Sequence, residues 1–336
     1  MIGLEAMLYE KLGSDVVKCN LCGWRCTIQP GKRGVCSVRE NRGGTLYSLV
    51  YGKACSYAVD PIEKKPLYHF HPGTTAFSVA TVGCNFRCIF CDNWSISQEK
   101  EITGENLPPE SIVAMAKATG CRSVSYTYTE PTIFFEYAYD TAKLAHREGL
   151  YNTFVTNGYM TPEAIDTIDG YLDAATVDFK GSGDPNFYRN FCKVTNLEPV
   201  YQALAEMKRK KIFIEITDLI VTGGGDAKEP FIKLVEWIHD ELGEGTPFHI
   251  LRFFPSYKYD GHGPPTVSYL EELWQASKEI GLKYVYLGNV MSHKYENTYC
   301  PRCGKNVIDR SGFEVTSINL KGGNCAFCGE GINVVV

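Results

Sequence analysis

The sequence predicts an α/β protein: a partial (β/α)6 TIM-like barrel between a Cys-rich metal-bound cap and a zinc-ribbon-like tail. Three observations predict it. From Ala76 onward, short runs rich in β-branched and aromatic residues alternate with helix-length segments. The 14 cysteines gather in groups instead of spreading along the chain. The 336 residues, 44% hydrophobic and 22% charged, have ordinary globular composition and ample length for a buried core.

The elements follow in order. Residues 1–70 are turn-rich, with Gly and basic residues at Gly31–Gly34 and Asn41–Gly44, and read as a metal-held cap with a hairpin near 45–51. Strands are expected over 76–82, 123–127, 151–156, 174–179, 212–220, 248–253 and 283–287. Helices are expected over 109–119, 132–147, 161–168, 197–210, 229–241 and 268–280. In the second of these, Ile133, Phe134, Tyr137, Ala138, Thr141 and Leu144 recur at helical spacing. Strict alternation implies parallel β/α units, in an open sheet or a barrel, and six units fit a partial barrel. Function then belongs at the carboxyl ends of the strands. Residues 295–336 break the alternation. The expected domains are 1–70, 71–294 and 295–336.

Charge and hydropathy exclude several classes. Lys and Arg sum to 34 against 39 Asp and Glu, a formal charge of −5. That balance does not favour duplex binding, which rests on neutralising phosphates. No apolar run reaches the ~18 residues of a membrane span. The start of the chain carries Glu5 and Glu10 and lacks the basic, then apolar, pattern of a signal peptide, so the expected address is the cytoplasm.

In a reducing compartment, clustered cysteines read as metal ligands. Cys84-x3-Cys88-x2-Cys91 follows the first parallel strand. Zinc would need a fourth ligand, and no His or Cys follows nearby. A cubane iron–sulfur cluster held by three thiolates instead keeps one iron open to a small molecule. The plainer alternative is a zinc knuckle completed from a distance. Cys300-x2-Cys303 and Cys325-x2-Cys328 have the spacing of a four-cysteine zinc ribbon, with a rubredoxin-like iron site as the lesser option. Cys19, Cys22, Cys26 and Cys36 suit structural zinc or an auxiliary cluster, and the surrounding Gly and basic residues favour zinc as a fold staple. Cys55, Cys121 and Cys192 stand apart and read as small buried hydrophobes.

The Cys-x3-Cys-x-aromatic-Cys pattern, with Phe90 in the aromatic slot, resembles the signature of radical S-adenosylmethionine (SAM) enzymes. More closely, the chain resembles the AmmeMemoRadiSam-system radical SAM proteins, related to pyruvate formate-lyase activating enzymes. The match rests on Asp60–Gly73, Gly83–Trp94, Tyr128-Thr-Glu-Pro131, Thr156-Asn-Gly158 and the cysteine-rich head with Arg39 and Asn41. It covers nearly the whole chain. Asp92 departs from it, because the family commonly has Gln after the third cysteine.

The resemblance implies a 4Fe-4S cluster on Cys84, Cys88 and Cys91 and reductive cleavage of SAM to methionine and a 5′-deoxyadenosyl radical that abstracts hydrogen from a substrate. Glu130 would take the methionyl ammonium, with Thr129 adding polar contact. Thr156 and Asn157 would reach the ribose. Lys180 would pair the methionyl carboxylate and Asp178 would orient it. Glu215 stands where activase relatives have Arg. Each has a plainer reading: a helix-end charge, an Asn-Gly turn, a solvated lysine. His69 and His71 read as structural histidines more readily than catalytic ones. Implied partners are a reductant such as ferredoxin or flavodoxin, and Memo-like and AMMECR-type proteins. The competing readings are a glycyl-radical-enzyme activase, a non-catalytic iron–sulfur electron carrier and a zinc-ribbon nucleic-acid module.

Overall fold

A computed structural model describes residues 3–291 and 293–336. At its centre is an eight-stranded sheet. Its strands are β1 (Ser56–Pro61), β2 (Thr75–Ala80), β3 (Ser123–Tyr126), β4 (Tyr151–Thr156), β5 (Ala174–Lys180), β6 (Phe213–Ile220), β7 (Phe248–Arg252) and β8 (Val285–Gly288). They lie in sequence order from one edge to the other. β1 runs antiparallel to β2, and every later pair is parallel. Right-handed crossovers that always step to the same side put their helices on one face of the sheet. Those helices are α1 (Pro109–Ala118), α2 (Phe135–Arg147), α3 (Pro162–Ile168), α4 (Glu198–Arg209), α5 (Lys228–Trp237) and α6 (Val267–Ile280).

Local chemistry explains these elements. β3 is buried at every position, as expected of a parallel strand covered on both faces. α3 is capped by Thr161, whose side chain accepts from the Ala164 amide, and has Pro at its first position. The expected helix at 132–147 is split. Pro131–Phe134 forms a 3-10 turn, and Glu130 caps it by accepting from the Thr132 amide. α2 then buries Phe135, Tyr137, Ala138, Thr141, Ala142 and Ala145.

The large sheet begins earlier than the expected boundary at residue 71. β1 lies within the span read as cap because its mixed Ser-Tyr-Ala-Val-Asp-Pro sequence, with Pro at its end, suits a half-exposed edge strand. The head hairpin pairs Arg39–Arg42 with Thr45–Ser48, turning at Gly43-Gly44. The head docks on α2 through an ion pair: Arg39 Nη2 lies 2.8 Å from Glu136 Oε1, with both side chains at most 2% exposed. In the tail, Asn306–Ser311 pairs with both Thr298–Tyr299 and Glu314–Ile318.

The tail returns to the start of the large sheet. The Val335 amide donates to the His69 carbonyl, and the His71 amide donates to the Val335 carbonyl. There Phe70 and Val335 pack with Ile62, Leu67, Ala76, Tyr151, Ala174 and Phe213, residues at or near the amino ends of the strands. Among the described residues, no helix is long and apolar enough to cross a membrane.

Candidate active site

The loop after β2 carries Cys84, Cys88 and Cys91 at the carboxyl ends of the parallel strands. Gly83 makes its entry possible. Its φ is +97°, and a Cβ there would stand 2.7 Å from Val38 Cγ1 and 3.0 Å from the Cys36 carbonyl oxygen. The three thiols border a cavity of about 230 Å³. The Phe86 amide donates to Cys84 Sγ at 3.4 Å, and Cys91 Sγ lies 3.3 Å from Ser97 Oγ. Burial pushes the Cys84 and Cys91 thiols up. The Cys88 thiol is raised by a hydrogen bond with Cys192 and by burial. Such thiols become thiolates when a metal displaces the proton.

Several expected residues meet in this cavity. Phe90, Thr129, Asn157, Asp178 and Lys180 all form part of its wall. The hydroxyl of Thr217 on β6 donates to Asp178, its register partner on β5. Lys180 Nζ lies 3.9 Å from Asp178 Oδ2. Burial alone would lower the Lys180 ammonium, but the Asp178 carboxylate beside it holds it above the usual lysine range.

Two expected residues are placed differently. Glu130 is fully buried and outside the cavity wall. Its Oε1 accepts from the Thr132 amide and from the hydroxyls of Thr132 and Thr156, at 3.0, 2.6 and 2.7 Å. Its Oε2 accepts from the Asn157 amide at 2.8 Å. Glu130 and Thr156 therefore tie the ends of β3 and β4 together and position Asn157, rather than presenting themselves to a ligand. Asn157 in turn donates to Asn85 Oδ1 at 2.7 Å. Glu215 is also committed inside the protein: it accepts from the His69 amide and lies 2.8 Å from His249 Nε2. His69 and His71 lie on the segment bonded to Val335, at the opposite end of the sheet from the cysteine loop.

Cys192, read from the sequence as a small buried hydrophobe, is fully buried. It ends the helical turn Tyr188–Cys192, and its carbonyl accepts from the Arg87 amide. Its thiol thereby meets Cys88. A lone cysteine carries no spacing signal, so nothing in the sequence marked it.

A larger chamber of about 890 Å³ adjoins the cavity and shares Asp178, Leu251 and Asn289 with it. Its wall includes Glu63, Tyr68, His249 and Phe313. The buried Glu63 Oε1 accepts from the Gly73 amide at 2.9 Å, while Oε2 has no hydrogen-bond partner among the described residues. Burial pushes the Glu63 carboxyl up to about 7.

In the tail, Cys300 and Cys328 Sγ lie 3.6 Å apart and Cys303 and Cys325 Sγ 3.8 Å apart. All four sulfurs lie within 4.8 Å of one another. A tetrahedral ion with bonds of about 2.3 Å sets sulfurs about 3.8 Å apart, so this set fits a single ion.

Residues 78–238 match the radical SAM superfamily. That stretch is a radical SAM superfamily domain. It is 45% identical over 336 residues to the uncharacterized protein MJ0808 of Methanocaldococcus jannaschii, covering 99% of each chain. Among solved structures, a radical SAM methyltransferase from Sphaerobacter thermophilus is similar at TM-score 0.50 and 16% identity, over 65% of this chain and 67% of that one. SuiB of Streptococcus suis, solved with S-adenosylmethionine bound, is similar at TM-score 0.51 and 14% identity, over 62% of this chain and 49% of that one. These two show a shared fold. The protein is thus an enzyme of the radical SAM class, and that family implies a 4Fe-4S cluster and SAM. The donor set fits: the thiols of Cys84, Cys88 and Cys91 border one cavity of mixed polar and apolar lining and would supply three protein ligands to a cubane.

Proposed function

We propose that Cys84, Cys88 and Cys91 hold the cluster, that SAM occupies the cavity beside them, and that the substrate enters the adjoining chamber. The observation that carries this reading is the shared wall at Asp178, Leu251 and Asn289, where the two spaces meet. Bound cluster and SAM supply reductive cleavage to methionine and a 5′-deoxyadenosyl radical, which takes hydrogen from a substrate.

The chain's own residues bind, orient and shield. Lys180 offers an ammonium to the methionyl carboxylate, and Asp178 holds that ammonium in place. Thr129 and Asn157 offer polar contacts from the ends of β3 and β4. Phe90, 3% exposed and packed 5.5 Å from Phe187, keeps water from the cysteine loop.

The residues of Asp60–Gly73 and the cysteine-rich head support placing the chain in the AmmeMemoRadiSam branch, with Memo-like and AMMECR-type proteins as partners and a cytoplasmic ferredoxin or flavodoxin as reductant. The tail set supports a structural zinc ion. The test is anaerobic reconstitution with iron and sulfide, followed by dithionite and SAM. Wild type should form 5′-deoxyadenosine and Cys88→Ala should not. A well-formed reduced cluster that forms none, even with cell extract present, would reject the catalytic reading in favour of an electron carrier.

A further inference from the structure

We propose that His249, fixed by Glu215, is the proton acceptor of the larger chamber and takes the proton of a substrate hydroxyl. Its part in the reaction rests on the function proposed above; the open ring nitrogen and its fixing by Glu215 do not.

Strand register builds the pair. Asp178 on β5 is in register with Thr217 on β6, and Thr217 with His249 on β7. Glu215 stands two residues before Thr217 on the same strand. Residues in register or two apart share one face of a sheet, so all four side chains leave from the same face. Asp178 borders both the cavity and the chamber. Neighbouring strands lie about 4.8 Å apart, which sets His249 about 10 Å along the sheet from that junction, within the length of a small substrate.

Glu215 decides which ring nitrogen is open. Its Oε1 accepts from the His69 amide at 2.7 Å, and its Oε2 lies 2.8 Å from His249 Nε2. Burial alone would raise the Glu215 carboxyl, but its contacts with His249 and His69 hold it below the ordinary range. A carboxylate only accepts, so Nε2 carries the proton and Nδ1 keeps its lone pair. Nδ1 has no hydrogen-bond partner among the described residues and is not sealed in as Glu63 Oε2 is. His249 is 2% exposed and forms part of the chamber wall, so its open nitrogen meets the chamber.

Tyr68 repeats the pattern on the same wall. It is 6% exposed, and its ring stands edge-on to His249 with centroids 4.7 Å apart. Burial pushes its phenol up, so it stays a donor. Its hydroxyl has no partner among the described residues. Buried polar groups are ordinarily hydrogen-bonded, so an open acceptor and an open donor side by side point to a ligand. An ammonium could only donate there. A hydroxyl donates to Nδ1 and accepts from Tyr68.

The hydrogen on the carbon beside that hydroxyl passes as an atom to the 5′-deoxyadenosyl radical. The O–H bond breaks with it: the proton goes to Nδ1, and the electron pair stays on oxygen. Glu215 balances the charge of the imidazolium, and Tyr68 donates to the oxygen as its charge grows. His249 is then a catalytic residue, and Glu215 positions it.

The test is reaction of the reconstituted full-length protein with diethyl pyrocarbonate, which acylates unprotonated imidazole nitrogens that it can reach, read by peptide mass mapping. Exposed Met291 and Phe313 line the chamber, so the reagent has a way in. His69 is the internal control, since its Nδ1 lies 2.6 Å from the Asn333 carbonyl and its Nε2 2.5 Å from Tyr286 Oη. His249 should be labelled and His69 spared. In Glu215→Gln the side-chain carbonyl keeps the His69 amide and the NH2 group faces Nε2, which moves the ring proton to Nδ1. Labelling of His249 should then fall by about tenfold or more. Ring 15N shifts should report Nε2–H in wild type and Nδ1–H in the variant. A wild-type His249 as inert as His69, a wild-type proton on Nδ1, or equal labelling of both proteins would overturn the proposal. If the variant does not fold, wild-type labelling and 15N shifts decide. With cell extract as the substrate source, His249→Gln should cut the extract-dependent rise in 5′-deoxyadenosine by about a hundredfold at unchanged iron content. An unchanged rise would overturn the proton-accepting role. If wild type forms no 5′-deoxyadenosine at all, the radical reading fails, and the labelling pattern still decides whether Glu215 holds His249 open to the chamber.

Discussion

The same Cys-x2-Cys spacing occurs at Cys19/Cys22, Cys88/Cys91, Cys300/Cys303 and Cys325/Cys328, yet the loop after β2 and the tail use it differently. In the tail, two such pairs face each other and their sulfurs meet at 3.6 and 3.8 Å. In the loop after β2, the pair joins Cys84 at the edge of a cavity, and among the described residues no opposing pair closes on it. The spacing fixes how far apart two sulfurs can bite. What stands opposite decides whether they enclose one ion or open onto a ligand site.

The largest test of that contrast pairs Cys88→Ala with Cys303→Ala. The first should abolish 5′-deoxyadenosine formation and remove iron while leaving zinc. The second should remove zinc and loosen the tail while leaving barrel iron, since metal binding free energy is folding free energy. Elemental analysis of both proteins reads the outcome, and loss of iron from both would erase the distinction.

The next effect is on the head. Glu136→Ala leaves the Arg39 guanidinium buried without its carboxylate and should cost about 3–5 kcal/mol. A urea titration measures it, with any metal of the head lost before that of the tail. Equal loss of both metals would show that the two modules do not unfold separately.

A smaller effect is a pH dependence at the seam between tail and barrel, where Arg310 Nε lies 3.7 Å from Glu63 Oε1. Folding raises the Glu63 carboxyl to about 7. Between the ordinary carboxylate range and about 7, the folded state therefore holds a proton that the unfolded state has released. Its contribution is present at low pH and lost as pH rises through that window, by on the order of 3 kcal/mol. Urea midpoints across the window should fall in wild type and stay flatter in Glu63→Gln. Parallel curves would assign the slope to other groups.

The smallest effect concerns the exposed tether from the head to α3. Arg25 and Glu163 meet at 2.9 Å but are 39% and 48% exposed. Arg25→Ala should cost only about 0.2–1 kcal/mol, reduced further by salt. A cost of several kcal/mol in a thermal melt would mean that the head depends on its surface contacts more than on the buried Arg39–Glu136 pair.

The parallel strands were legible because two-sided burial writes itself as continuous β-branched and aromatic runs, such as Tyr151–Thr156. β1 was not legible, because an edge strand needs only half its residues apolar and tolerates Pro61. The cysteine loop was legible from spacing alone. The orientation of Glu130 was not: a carboxylate at a strand end reads alike whether it faces a ligand or, as here, four donors from its own chain. The chamber wall was hidden for another reason. Arg310 Nη2 donates to the Tyr68 carbonyl across 242 residues of sequence, and no local pattern reports such a contact.

The docking of Val335 between His69 and His71 has a practical consequence. It places the exposed Val336 at the amino ends of the strands, opposite the cysteine loop. A surface linker attached after Val336 would hold every molecule with the cysteine-loop mouth facing solution. Electrode films built that way would present one uniform orientation to a soluble electron donor. Films built by random lysine coupling would not.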